Sequence, residues 1–150
     1  MGAGTHGQSL SEKIRRFPSP LPSLLKEFKR HLSNKKTVEK YIDGFRKSDH
    51  QQILSCLTDD VEWDIPGMFH ATGMEEFDKQ IENEAFVGSP ALTITRMIEE
   101  NDVVIAEGTV RVKKREGGFF NAVFCDAFTM REGKIKHLIS YLMESSEMSE

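Results

Sequence analysis

Near residue 91 the apolar residues stop recurring at helical spacing and begin to alternate, and this change of period limits the chain to a fold in which helices precede a sheet of sequential strands. Residues 92–99, 103–115, 119–131 and 134–143 read as four strands. Glu100-Asn101-Asp102, Glu116-Gly117-Gly118 and Glu132-Gly133 separate them, and connections this short join antiparallel neighbours. The upstream half is helical. Thr37 is positioned to cap a helix carrying Val38, Tyr41, Ile42 and Phe45, and Ser48-Asp49 ends it and caps a second helix with Ile53, Leu54 and Leu57. Residues 61–65 alternate as a first strand that stops at Pro66-Gly67, and residues 74–83 read as a third helix with Phe77 and Ile81 on one face. The predicted class is α+β, with helices packed on one face of a sheet.

A chain of 150 residues has room for one core. Residues 1–35 read as a flexible basic leader with a short amphipathic helix, 36–144 as the domain, and 145–150 as a frayed tail. In the leader, Phe17-Pro18-Ser19-Pro20-Leu21-Pro22 denies a continuous helix, whereas Leu21, Leu24, Leu25, Phe28 and Leu32 recur at helical spacing beside Lys26, Lys29 and Arg30. That helix is expected to pack on its own domain or on a partner, with a membrane-surface anchor and a transit peptide as alternatives. The formal charge of -4 is uneven: residues 1–36 hold eight basic and two acidic side chains, 8 minus 2 or +6, which leaves -10 for the remainder. An acidic body repels polyphosphate, so no nucleic-acid partner is expected. No apolar run reaches the roughly 20 residues that span a bilayer, so no integral membrane contact is expected either. Cys56 and Cys125 lie in apolar strings without zinc-finger or CxxC spacing and read as reduced packing residues of a cytoplasmic protein.

Three segments carry a family resemblance: Val38-Glu39-Lys40-Tyr41, then Leu57-Thr58-Asp59-Asp60-Val61-Glu62-Trp63, then residues 125–135 around the last hairpin. In order and spacing they resemble the nuclear transport factor 2-like superfamily, in its SnoaL-like and ketosteroid isomerase-like branch, over about residues 36–144. The resemblance implies a cone: a strongly curved, antiparallel-rich sheet wrapped around three helices, with a pocket between the helices and the concave face. It also implies a cofactor-independent acid/base enzyme of isomerase, cyclase or dehydratase type, or a binder of a small apolar, oxygen-bearing ligand. The alternative is a non-catalytic module for dimerisation or protein interaction. In the strand 119–131 both faces are apolar, so the outer face needs its own cover, and a homodimer through that face is the expectation.

The chemistry-bearing candidates follow. Asp126 sits among Phe124, Cys125, Ala127 and Phe128, where an ionised carboxylate is costly, so it should be protonated or paired. By resemblance Asp126 and Tyr41 match the two oxyanion donors of ketosteroid isomerases, and the general-base position of those enzymes falls on Ile65. An inert side chain there disfavours steroid isomerisation. Asp64, one residue away, serves only if a bulge re-aims it, because a one-residue step on a strand changes face. His70 lies in a segment read as a loop at the pocket mouth. Trp63, Ile65, Phe69, Phe86, Phe124, Phe128, Leu138 and Leu142 are the expected pocket lining. Limonene epoxide hydrolases use Arg and Asp two positions apart on one strand, but Arg96 and Arg111 are followed at that distance by Ile98 and Lys113, which disfavours epoxide opening. His70 with Glu75 or Asp64 lacks ligand spacing, so no metal is assigned.

Overall fold

The computed structural model describes Gly2 and residues 21–146. The prolines at 18 and 20 and the last four residues of the expected frayed tail lie outside the described residues. The elements are α1 (Leu21–Lys47), α2 (His50–Leu54), β1 (Leu57–Ile65), β2 (Phe69–Thr72), α3 (Gly73–Ile81), β3 (Phe86–Glu100), β4 (Val103–Lys114), β5 (Phe119–Arg131) and β6 (Lys134–Glu144). Six strands form one curved, unclosed sheet in the order β2-β1-β6-β5-β4-β3. Every pairing is antiparallel except β1 with β6, which run parallel. The predicted meander is therefore present, with β1 and β2 added beyond its last strand.

Turn chemistry fixes the meander's register. Asn101 and Asp102 have φ of 51° and 59°, and Glu132 and Gly133 have 51° and 76°, the left-handed pairs that two-residue hairpins require. The helices are held by a different device. Gly44 lets α1 and α2 touch, since a Cβ there would lie 2.7 Å from Ile53 Cγ1. Asp49 caps α2 by accepting from the Gln52 amide at 3.0 Å. Val38, Tyr41 and Ile42 of α1 then meet Phe77 of α3 and Val104, Phe128, Met130 and Leu138 of the sheet in one buried cluster.

The structure corrects five boundaries. Helix α1 is continuous through residues 34–37, where a cap was expected. The single Thr37 Oγ1 hydrogen is shared between the carbonyls of Gly133 at 2.6 Å and Ser33 at 2.9 Å, and buried Asn34 donates to Glu99 at 2.8 Å, so residues with capping chemistry spend it on tertiary partners. The expected amphipathic helix is thus the outer half of α1, and its apolar stripe does not pack on the domain: Leu24, Leu25, Phe28 and Leu32 are all exposed. Strand β1 opens at Leu57 because α2 ends after one turn and a half. The segment read as a loop around His70 is an edge strand, β2, paired with β1. Helix α3 stops at Ile81, and β3 starts at Phe86, ahead of the Gly88-Ser89-Pro90 interruption that its ladder bridges by a register shift.

Candidate functional site

Between α1 and the concave face of the sheet lies a cavity of about 200 Å³. Its helix side is Tyr41, Ile42 and Phe45, each one or three residues from the next and so on one helical face. The sheet side takes alternate residues of each strand: Trp63 and Ile65 from β1, Val110 and Val112 from β4, Phe120, Phe124 and Asp126 from β5, Ser140 and Leu142 from β6, with Phe86 and Leu92 from β3. Gly108 on β4 is part of the wall's construction. A Cβ there would stand 2.1 Å from the Thr93 carbonyl oxygen and 2.8 Å from the Phe124 ring, so glycine is what lets that ring lie across the strand.

Three polar side chains interrupt this wall: Tyr41, Asp126 and Ser140. Asp126 and Ser140 are register partners on β5 and β6. Trp63 Nε1 donates to Ser140 Oγ at 3.1 Å, and Ser140 in turn hydrogen-bonds the Asp126 carboxyl, which forms a short chain along the cavity wall. Burial pushes the Asp126 carboxyl up to about 7, and the Ser140 bond opposes that rise without cancelling it. Near neutral pH Asp126 is therefore divided between a proton-donating acid and a proton-accepting carboxylate. Tyr41 is almost wholly buried against Phe45, Phe77 and Phe128, with ring centroids 5.0, 6.2 and 5.4 Å away. Burial first, and the Asp126 charge second, raise its phenol well above the ordinary tyrosine value, so it stays a neutral O–H donor. Among the described residues that hydroxyl makes no hydrogen bond.

The structure brings together Tyr41, Asp126, Trp63, Ile65, Phe86, Phe124 and Leu142 at the cavity. Other predicted members lie elsewhere. Phe128 and Leu138 are fully buried in the core behind the wall, and Phe69 packs edge-on against Trp63 at 5.1 Å without lining the cavity. Asp64 and His70 are on the sheet's other face, because Trp63 points inward and its neighbour must point out. There Asp64 Oδ2 accepts from His137 Nε2 at 2.7 Å, Oδ1 pairs with His70 Nδ1, and His70 Nε2 meets Thr72 Oγ1 at 3.0 Å. The β1 ladder does contain an irregularity, but it falls between Leu57 and Glu62 and leaves Asp64 facing outward. His137 and His70, in that order, hold the Asp64 carboxyl below its usual range, while Asp64 raises His70. Neither Arg96, paired with Glu107 at 2.7 Å, nor Arg111, stacked over Phe119 at 4.0 Å, reaches the cavity. No group of three or more His, Cys, Asp or Glu among the described residues is arranged to hold a metal.

Sequence reasoning passed over Leu92, Val110, Val112 and Phe120. Their period-two alternation was the available signal: in β4 Val110 and Val112 alternate with Thr109, Arg111 and Lys113, whereas both faces of β5 are largely apolar, so for Phe120 alternation alone does not say which face is concave.

A family model described as SnoaL-like domain matches residues 38–138. Among solved structures, TerC co-crystallised with polyporic acid is 26% identical, with a TM-score of 0.67 over 74% of this chain and 92% of that one. An NTF2-like protein of unknown function from Burkholderia pseudomallei is 20% identical, with a TM-score of 0.69 over 74% and 91%. An LEH-like epoxide hydrolase from M. tuberculosis is 16% identical, with a TM-score of 0.66 over 75% and 84%. The last two likenesses establish the fold alone. No curated protein matches the chain.

Proposed function

The chain belongs to the SnoaL-like domain family, and from that premise we propose that it takes a small apolar, oxygen-bearing molecule into the cavity and acts on it by acid/base chemistry without a cofactor. The observation that carries this reading is the pairing of an unpartnered Tyr41 hydroxyl with an Asp126 carboxyl of pKa about 7 in an otherwise apolar wall. An apolar chamber with few converging polar groups selects a ligand by shape and orients it by one oxygen. Tyr41 donates to that oxygen. Asp126 either donates beside it or, once ionised, removes a proton from an adjacent carbon, and its pKa suits both roles near pH 7. An isomerisation, cyclisation or dehydration needs no more than this. Ile65 supplies no base at the position ketosteroid isomerases use, so Asp126 is the one titratable carboxylate of the cavity lining and carries the proton alone. The co-crystallisation of TerC with polyporic acid supports a small organic ligand for this chain as well.

We further infer a homodimer through the outer face of β5 and β6, where Val123, Tyr141 and Met143 are 46%, 52% and 70% exposed. Native mass spectrometry of the purified protein tests both statements at once. The expected species is twice the 17.1 kDa chain, carrying a small organic molecule that Asp126→Asn binds at least tenfold more weakly or fails to turn over. A ligand-free chain that also fails to bind polyporic acid, with Asp126→Asn altering stability alone, would reduce the cavity to a packing defect.

A further inference from the structure

The outer half of α1 carries an exposed apolar stripe that the fold does not use, and a row of lysines runs beside it into the half of the helix that packs on the domain. Leu24, Leu25, Phe28 and Leu32 are 58%, 52%, 62% and 44% exposed, and at about 100° per residue they share one stripe of the helix. Beside that stripe a groove is lined by Lys29, Leu32, Ser33, Lys36, Thr37 and Lys40, with no acidic side chain among them. Its three lysines extend along about 16 Å of helix at 1.5 Å per residue. Arg30 does not belong to this row: it turns to Asp102 in the β3–β4 turn at 3.4 Å, and with Asn34, bonded to Asp102 at 3.2 Å, it fixes how the helix leaves the domain. Past Leu32 the same side of the helix reaches Lys35 and then the exposed Glu39, which end the apolar stripe.

We propose that this half-helix is a membrane-surface element, lying in the headgroup boundary of an anionic bilayer with its leucines and Phe28 toward the acyl chains and Lys29, Lys36 and Lys40 on the lipid phosphates. An apolar stripe bordered by lysines is the pattern of helices that lie in the interface plane, because the boundary offers apolar depth and dense negative charge side by side. No helix among the described residues is long and apolar enough to cross a membrane, so α1 lies on the surface and does not insert across it. Charge argues for the same occupant. Residues 1–36 sum to +6 and the rest to -10, so an anionic surface attracts the leader and repels the body. The domain is then held off the bilayer by the helix alone, with the cavity free to exchange ligand. A second copy of the chain has the acidity to match the lysines, but it would also need an apolar recess shaped to four large side chains, which a bilayer supplies without shape matching.

Flotation of the full chain with phosphatidylcholine vesicles, with and without phosphatidylserine, tests this. Binding is expected with phosphatidylserine and should fall at least tenfold without it or in about 0.5 M salt. Lys29→Gln and Lys36→Gln should each weaken it about fivefold. Leu25→Asp with Phe28→Asp should abolish it while the melting temperature stays within a few degrees, since both side chains are solvent-exposed. Absence of flotation with phosphatidylserine overturns the proposal, as does binding unchanged by the double substitution. So does the finding that the double substitution instead dissolves a concentration-dependent assembly, which would make a second copy the occupant.

Discussion

Asp126 and Asp64 sit on the same sheet, both flanked by apolar neighbours in sequence, and the fold sends them to opposite fates. Asp126 faces inward, where the walls strip its water and give it one neutral partner, Ser140, so its proton is held to about pH 7. Asp64 faces outward on the edge side, where two histidines reach one carboxylate and its proton leaves below the ordinary range. A strand's parity decides which acid faces the cavity and which one ties strands together: Asp64 links β1 to His70 of β2 and His137 of β6. The residue type is the same in both places, and only desolvation and partner charge differ.

The sharpest way to break this contrast is Asp126→Asn followed over pH. A carboxyl raised in the folded state binds its proton more tightly there than in the unfolded chain, so its contribution is fullest below the ordinary value of 3.8 and is lost as pH rises to about 7. The stability gap between variant and wild type should therefore move by about 4 kcal/mol in the variant's favour between pH 4 and pH 8, read from urea unfolding. A gap that does not change with pH would mean that Asp126 is ordinary. Next in size is Ser140→Ala, which removes the link between Trp63 and Asp126. It should cost about 1–2 kcal/mol and lift the Asp126 pKa further, because the Ser140 hydrogen bond holds it down. Carboxyl carbon NMR would report that rise, and a fall would mean the chain is misassigned.

The smallest effect belongs to the outer cluster, whose two groups shift in opposite directions. Asp64 is lowered, so its contribution is present above 3.8 and lost as pH falls; His70 is raised, so its contribution is present below 6.5 and lost as pH climbs past its folded value. The cluster is thus at full strength between about pH 4 and 6.5, and Asp64→Asn should return the His70 pKa toward 6.5 with a stability loss smaller than that of Ser140→Ala. Proton NMR of the imidazole resonances measures it. A His70 titration indifferent to Asp64 would remove the contrast from the outer side.

The parity argument was legible in the sequence: a step from Ile65 to Asp64 changes face, and the structure keeps Ile65 inside and Asp64 outside. The meander was legible too, since Asn101-Asp102 and Glu132-Gly133 are turn pairs that demand positive φ. The continuity of α1 was not, because Thr37 looks like a cap, and only distant partners, Gly133 for Thr37 and Glu99 for Asn34, reveal that these polar groups are engaged sideways. Phe86 was assigned to the pocket without a strand to carry it there, since Gly88, Ser89 and Pro90 break the local pattern that β4 restores by pairing Phe86 with Lys114. The depth of Phe128 and Leu138 was hidden for a related reason: period two says which face a side chain takes, but the third helix, through Phe77, decides how far that face is covered.

Trp63 is the chain's one tryptophan, and its indole stacks on Phe77 at 4.6 Å while its N–H is spent on Ser140, one bond short of Asp126. The molecule therefore contains its own fluorophore in the wall of the cavity. Its emission belongs to a dry, apolar setting, uncontaminated by any second indole, and an ionising carboxylate two side chains away changes the field across the ring. Light emitted by the unmodified protein is thus expected to respond both to the proposed filling of the chamber and to the proton of Asp126, which one stopped-flow trace would time without a label.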